Sequence, residues 1–273
     1  MSLKVHFLNG GYCRQFLASV DGRSLRLVRF HAVFLAFHHP TIGWVVCDTG
    51  YGGRFRPATR AWPYRLYRYA TPVRERGTAA AALARIGVDA RRVQHVIVTH
   101  FHADHIGGLG DFPSARVYYH EDALQSLAAL KPFKQTSCAF LPSLVPAQLQ
   151  SRSKVLSRDH FQHDADLSFP VHDLFRDGSL RLVHLPGHAP GQLGVQFEHE
   201  SGPLLYAADA YWRKMQVSEG TDLPALTRKL QWDPPAYDET IARLRHLHSH
   251  GRFKLLACHD DETQSYLERE PYG

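Results

Sequence analysis

Cysteine is scarce: the 273 residues hold four, Cys13, Cys47, Cys138 and Cys258, with no C-x-x-C pair among them. So scattered a set excludes a disulfide framework and a cysteine-built zinc site, and it points to a reducing, cytoplasmic setting. Also missing is any apolar run long enough to cross a bilayer. The most apolar early stretch, LRLVRFHAVFLAFHH, carries Arg29 and His31 and reads as buried strands. The opening MSLKVHFLNGGY mixes charge, polar groups and glycine, unlike a secretory leader. No repeat, low-complexity tract or G-x-S-x-G nucleophile elbow is present, which argues against a serine hydrolase of the α/β type. Acid is in deficit, 26 Asp and Glu against 32 Lys and Arg, for a formal charge of +6. That excess is modest for the length and does not by itself indicate nucleic acid as a partner.

What is present is a hydrophobic fraction of 44%, enough for a sizeable core. LRLVRF and AVFLAF read as strands leading through HHPTIG to WVVCDTG, an antiparallel meander. Thr78 to Ile86 is alanine-rich and helical, with Gly87 as its stop. QHVIVTH and ARVYYH read as strands, and EDALQSLAAL as a helix. In the second half DGSLRLVHL, GQLGVQFEHE, PLLYAAD and FKLLACHD read as strands, and TDLPALTRKLQW and AYDETIARLRHLHSH as helices. Sheets flanked by helices, with polar residues just beyond strand ends, indicate a layered α/β architecture. The chain 1–273 reads as one domain of two similar halves, with a seam near 148–169.

Histidine is the unusual residue, with nineteen copies. Its densest cluster is His100-Phe101-His102-Ala103-Asp104-His105, directly after the strand HVIVT. On an extended segment His100 and His102 share a face, and the following turn brings Asp104 and His105 toward a second point. Imidazole and carboxylate suit zinc, iron, manganese or cobalt, and four ligand types in six positions serve two ions better than one. His246, His248 and His250 lie at a helix end, and His38, His39, His160, His163 and His199 in polar turns or strand ends; all read as surface residues.

The string THFHADHIGG resembles the H-x-H-x-D-H signature of the metallo-β-lactamase superfamily. Leu185-Pro186-Gly187-His188-Ala189-Pro190-Gly191 is similar to that family's third-histidine loop, Asp209 to its metal-bridging aspartate, His259 to its last histidine and Cys47-Asp48-Thr49-Gly50 to its early DTG turn. The resemblance implies an αββα sandwich. It implies one metal ion on His100, His102 and His188, a second on Asp104, His105 and His259, and Asp209 bridging them. Two such ions lower the pKa of a bridging water, whose hydroxide attacks a carbonyl or phosphoryl centre.

Within the superfamily the layout is most like the quorum-quenching N-acyl homoserine lactonases, which implies a small-molecule substrate with an acyl group, opened at a lactone or related ester. Alternatives are a glyoxalase II-like thioesterase, a phosphodiesterase and a non-catalytic metal-binding protein. Those lactonases carry a tyrosine three positions after the bridging aspartate; Trp212 stands there in this chain, and Tyr211, one position earlier, is the expected substrate contact beside Asp104. The Arg- and aromatic-rich stretch 51–77, with Trp62 and Tyr67, reads as a cover over the site or a homodimer contact. Zinc is the expected metal, and no membrane is expected as a partner.

Overall fold

The computed structural model describes residues 3–267, so both ends of the expected 1–273 unit lie outside the described residues. Strands β1 (Lys4–Phe16), β2 (Leu27–His39), β3 (Gly43–Cys47), β4 (Val73–Arg74), β5 (Val93–Ile97), β6 (Arg116–His120) and β7 (Ser153–Leu156) form one sheet in the order β4-β1-β2-β3-β5-β6-β7. Strands β8 (Gln162–Asp164), β9 (Phe169–Asp173), β10 (Leu180–His184), β11 (Leu193–His199), β12 (Gly202–Tyr206) and β13 (Lys254–Leu256) form the other, in the order β13-β12-β11-β10-β9-β8. The stretch 148–169 carries the chain from one sheet to the other, since it contains β7 at the edge of the first and β8 at the edge of the second.

LRLVRF and AVFLAF are one strand, not two. β2 stays paired with β1 from Lys4↔His38 to Phe16↔Leu27, with one irregularity between Asn9 and Tyr12 that Gly10 and Gly11 accommodate. β1 went unread because its apolar residues are interrupted by Lys4, His6 and Asn9. The near-continuous apolar run of β2 follows from burial on both faces. Ala32, Phe34 and Ala36 pack toward one core, and Val33, Leu35 and Phe37, pointing the other way, toward another.

Three cores therefore separate four layers. The first lies between the first sheet and helices such as Ala79–Arg85 and Glu121–Ala128. The second lies between the sheets, where Phe37 meets Phe197 edge-on at 4.9 Å. The third lies between the second sheet and the helix Pro234–His250. This is the αββα sandwich. The helix at Thr78 starts as expected, the Thr78 hydroxyl accepting from the Ala81 amide, and Gly87 follows its end at φ +75°. TDLPALTRKLQW is helical only over Ala225–Lys229, because Pro224 blocks an earlier start. No helix among the described residues is long and apolar enough to cross a membrane.

Candidate metal centre

Loops leaving the carboxyl ends of β3, β5, β10, β12 and β13 meet at one edge of the sandwich and carry Asp48, His100 to His105, His188, Asp209 and His259. All but the half-buried His102 are almost wholly buried, with His100 and His105 sealed from solvent. Two clusters form. His100, His102 and His188 bring ligand atoms within 4.8 Å of one another, as do His105, Asp209, His259 and Cys258. The clusters adjoin: His188 Nε2 lies 3.1 Å from His102 Nδ1 and 3.6 Å from Asp209 Oδ2. Asp209 Oδ2 lies 3.0 Å from His259 Nε2, and its Oδ1 is 3.4 Å from His105 Nε2. Asp104 lies at the same edge, 3.5 Å from His259 Nε2 and 3.8 Å from His105 Nε2.

The rings are held from behind. His105 Nδ1 donates to Asp48 at 2.8 Å, His188 Nδ1 to the Gln231 side-chain oxygen at 2.8 Å, and His259 Nδ1 to the His31 carbonyl at 2.8 Å. Each such bond fixes the tautomer and leaves Nε2 free to face inward, as metal-binding histidines require. Asp48 also accepts from the Thr99 amide and hydroxyl, tying the β3 turn to the start of the histidine loop. Gly187 sits at φ +127°, where a Cβ would come within 2.3 Å of the Tyr237 backbone, so only glycine lets the His188 loop pass beneath that helix.

The residues fit a pair of cations. His100 Nε2, His105 Nε2 and Asp209 Oδ1 are buried without a hydrogen-bond partner, an arrangement that costs stability unless something electrophilic satisfies them. Burial pushes His100, His102 and His188 toward the neutral, ligating form. Burial acts the same way on His105 and His259, but the carboxylates outweigh it: Asp48, Asp209 and Asp104 raise His105, and Asp209 and Asp104 raise His259. Burial also works against the Asp209 carboxylate, yet His259 and His105 hold its pKa well below the usual range. Protons here stand where positive charge is demanded. Cys258 is an unsuitable ligand, since burial and Asp209 keep its thiol protonated and it points at the His31 and Val33 carbonyls.

Over this edge opens a cavity of about 610 Å³. Its floor is His102, Asp104, His188, Asp209 and His259, and its walls include Phe30, Tyr51, Leu66, Tyr67, Phe133, Trp212, Leu230 and Trp232. The stretch 51–77 thus supplies part of the wall through Tyr51, Leu66 and Tyr67, while Trp62 stands outside it, 59% exposed.

Tyr211 does not reach the cavity. Its ring is fully buried in the third core and its hydroxyl is unpartnered there, while Trp212 turns outward to meet His188 at 5.8 Å between ring centroids. Two phenols, Tyr51 and Tyr67, line the cavity instead; the Tyr67 hydroxyl has no hydrogen-bond partner among the described residues, and its pKa is raised by burial and by Asp104. Of the histidines expected at the surface, His39 is instead buried and bonded to Asp177 at 2.8 Å. His246 and His250 do lie on the exposed helix end, rings 4.1 Å apart and remote from the centre. Gln231, Phe30, Phe133, Leu230 and Trp232 went unnoticed as site residues, since nothing in their sequence surroundings distinguishes them from packing residues.

A family model described as the metallo-beta-lactamase superfamily matches residues 41–243. A "probable metallo-hydrolase" of Mycobacterium tuberculosis is 25% identical over 258 residues, covering 84% of this chain and 74% of that protein. An N-acyl homoserine lactonase of Azorhizobium caulinodans is 29% identical over 143 residues, half of this chain and 49% of that one. Among solved structures, a B. thuringiensis AiiA variant with N-decanoyl-L-homoserine at its active site superposes with TM-score 0.73, at 18% identity, over 97% of this chain and 96% of that one. AidC, a dizinc quorum-quenching lactonase, superposes at 0.67 and 14% identity over 95% of this chain and 88% of its own.

Proposed function

Because the chain belongs to the metallo-beta-lactamase superfamily and is a metal-dependent hydrolase, we propose that it opens lactones or related esters bearing an acyl chain, N-acyl homoserine lactones foremost. The observation that carries this reading is an apolar, aromatic-walled cavity whose floor is the buried histidine and carboxylate cluster. In it His100, His102 and His188 would hold one divalent ion and Asp104, His105 and His259 a second, with Asp209 available to either. A nitrogen-rich donor set of this kind favours zinc. When bound, such a pair supplies Lewis acidity at the acyl oxygen and lowers the pKa of water in the site.

The chain's own residues do the rest. The walls bury the acyl chain and exclude bulk water, strengthening every electrostatic contact on the floor. Tyr67, protonated at neutral pH, donates its hydroxyl hydrogen to the acyl oxygen as charge builds there. Asp104 reaches both the cavity and the ligand cluster, and is placed to relay the proton from attacking water to the departing alkoxide. The test is an assay of metal-replete and chelated protein against acyl homoserine lactones, thioesters and phosphodiesters. Lactone opening that vanishes on chelation and returns with zinc is the expected result. Efficient thioester cleavage without lactone opening moves the assignment to a glyoxalase II-like thioesterase.

A further inference from the structure

The mouth of the cavity is built from three segments that share an unusual composition. Residues 54–74, 123–158 and 223–232 contain no aspartate or glutamate. They nevertheless expose large apolar side chains: Trp62 at 59%, Phe133 at 59%, Leu226 at 75% and Leu230 at 65%, with Leu66 and Trp232 partly exposed beside them. These form one surface. Leu66, Phe133, Leu230 and Trp232 line the same cavity, Trp62 meets Phe133 edge-on at 5.7 Å, and Leu226 stands one helical turn before Leu230. The first two segments are joined by the Tyr64 hydroxyl, which donates to Gln135 at 2.6 Å.

Cations are interleaved with these residues: Arg60, Arg65, Arg68, Lys131, Lys134 and Lys229. None of the six is in an ion pair with a carboxylate among the described residues, although other cations of the same segments, Arg54, Arg158 and Arg228, are paired with carboxylates outside them. An exposed apolar patch with a rim of unpaired positive charge is a surface prepared for a partner. A second copy of this chain would set that rim against segments that hold no carboxylate of their own, because a twofold contact repeats the same patch on both sides. The partner must be anionic and apolar together, and broad enough to cover branched aliphatic side chains as well as rings.

We propose that this face binds an anionic lipid surface. Trp62 and Trp232 sit at headgroup depth, the leucines and Phe133 enter the acyl boundary, and the arginines and lysines pair with lipid phosphates. The cavity mouth then opens into the bilayer, so an acyl chain passes from lipid to the metal centre over apolar surface throughout. This departs from the expectation, drawn from the lack of a spanning segment, that no membrane is a partner.

The experiment is co-sedimentation of the metal-replete full chain with phosphatidylcholine vesicles, alone or with phosphatidylglycerol added. Binding is expected only to the anionic vesicles, weakening as salt is raised, with tryptophan emission shifting to the blue. Arg65→Glu and Lys229→Glu should each weaken it by about fivefold or more, the share expected of one cation near such a surface. Trp62→Ser with Leu226→Ser should abolish the blue-shifted component, and unchanged metal content and melting temperature will show that these variants fold. Equal binding to both vesicle types, or binding to neither at low salt, overturns the proposal. So does concentration-dependent dimerisation that the same substitutions abolish without any lipid binding, which would give this face to a second copy.

Discussion

Trp212 meets His188 at the cavity wall while the adjacent Tyr211 is sealed in the core, its hydroxyl without a partner. Removing that hydroxyl deletes a group that burial penalises and no bond offsets. Tyr211→Phe should therefore leave lactone turnover unchanged and raise stability by up to ~1 kcal/mol, read from the urea midpoint. Tyr67→Phe should instead lower kcat by about a hundredfold, the loss typical of one donor aimed at a developing oxyanion, with metal content unchanged. Equal small effects from both would remove Tyr67 from the chemistry. Sequence separated these residues poorly, because which side chain faces a site depends on how the loop after β12 turns, and neither pattern nor propensity encodes that. The histidine and carboxylate cluster was legible for the opposite reason. His100, His102, Asp104 and His105 are fixed relative to one another by six consecutive residues, and no distant packing is needed to place them together.

At the scale of elements, the loop bearing His188 depends on both of its ends. Gly187→Ala would place a Cβ 2.3 Å from the Tyr237 backbone at a φ of +127°. The expected cost is about 3 kcal/mol or more, with zinc binding weakened in step, measurable by urea titration and by metal analysis on the same sample. At the other end Gly191 packs on His120, which stacks on His184 at 4.6 Å with the rings nearly parallel. Burial lowers His184 to about 4, with His120 and Arg158 adding to it and Asp122 opposing; burial likewise lowers His120, against Asp122 and Glu121. For His184, a folded pKa below the unfolded value near 6.5 gives stability that is complete above pH 6.5 and lost as pH falls toward 4, about 1.4 kcal/mol for each tenfold difference in proton affinity between the two states. His184→Phe keeps the stack and should flatten part of that slope between pH 7 and 5; an unchanged slope would mean that His184 does not titrate against the fold. Strand ends and helix caps were readable because Thr78, Gly87 and the β-branched runs act locally. The fusion of LRLVRF with AVFLAF into β2 was not, since its continuity comes from pairing with β1, whose apolar pattern is broken by polar residues.

Across the whole molecule, the four layers converge on a metal centre that no single layer contains. Asp48 and His100 to His105 come from the first sheet, and His188, Asp209 and His259 from the second, so this cluster joins the two sheets at one edge. Strand and helix patterning reached only a layered α/β architecture; the αββα sandwich was legible through the resemblance that the order of these motifs carries. The wall residues were not legible, since Phe30, Phe133 and Trp232 come from unrelated segments that only the assembled layers bring together. Metal should therefore act on global stability. Without it, His100 Nε2, His105 Nε2 and Asp209 Oδ1 remain buried and unsatisfied, and the two halves lose a shared anchor. Metal at a free concentration a thousandfold above its dissociation constant stabilises by about 4 kcal/mol, provided the unfolded chain binds it poorly. Protein purified in zinc should carry two ions per chain by elemental analysis, and chelation should lower Tm in a single cooperative step. Asp209→Ala should lose most of that metal and melt at the same temperature with or without chelator, whereas His246→Ala should keep both ions and the full shift. A wild-type Tm indifferent to chelation, or a single ion per chain at saturation, would contradict a shared two-metal anchor, because an ion confined to one sheet's loops leaves the contact between the sheets untouched.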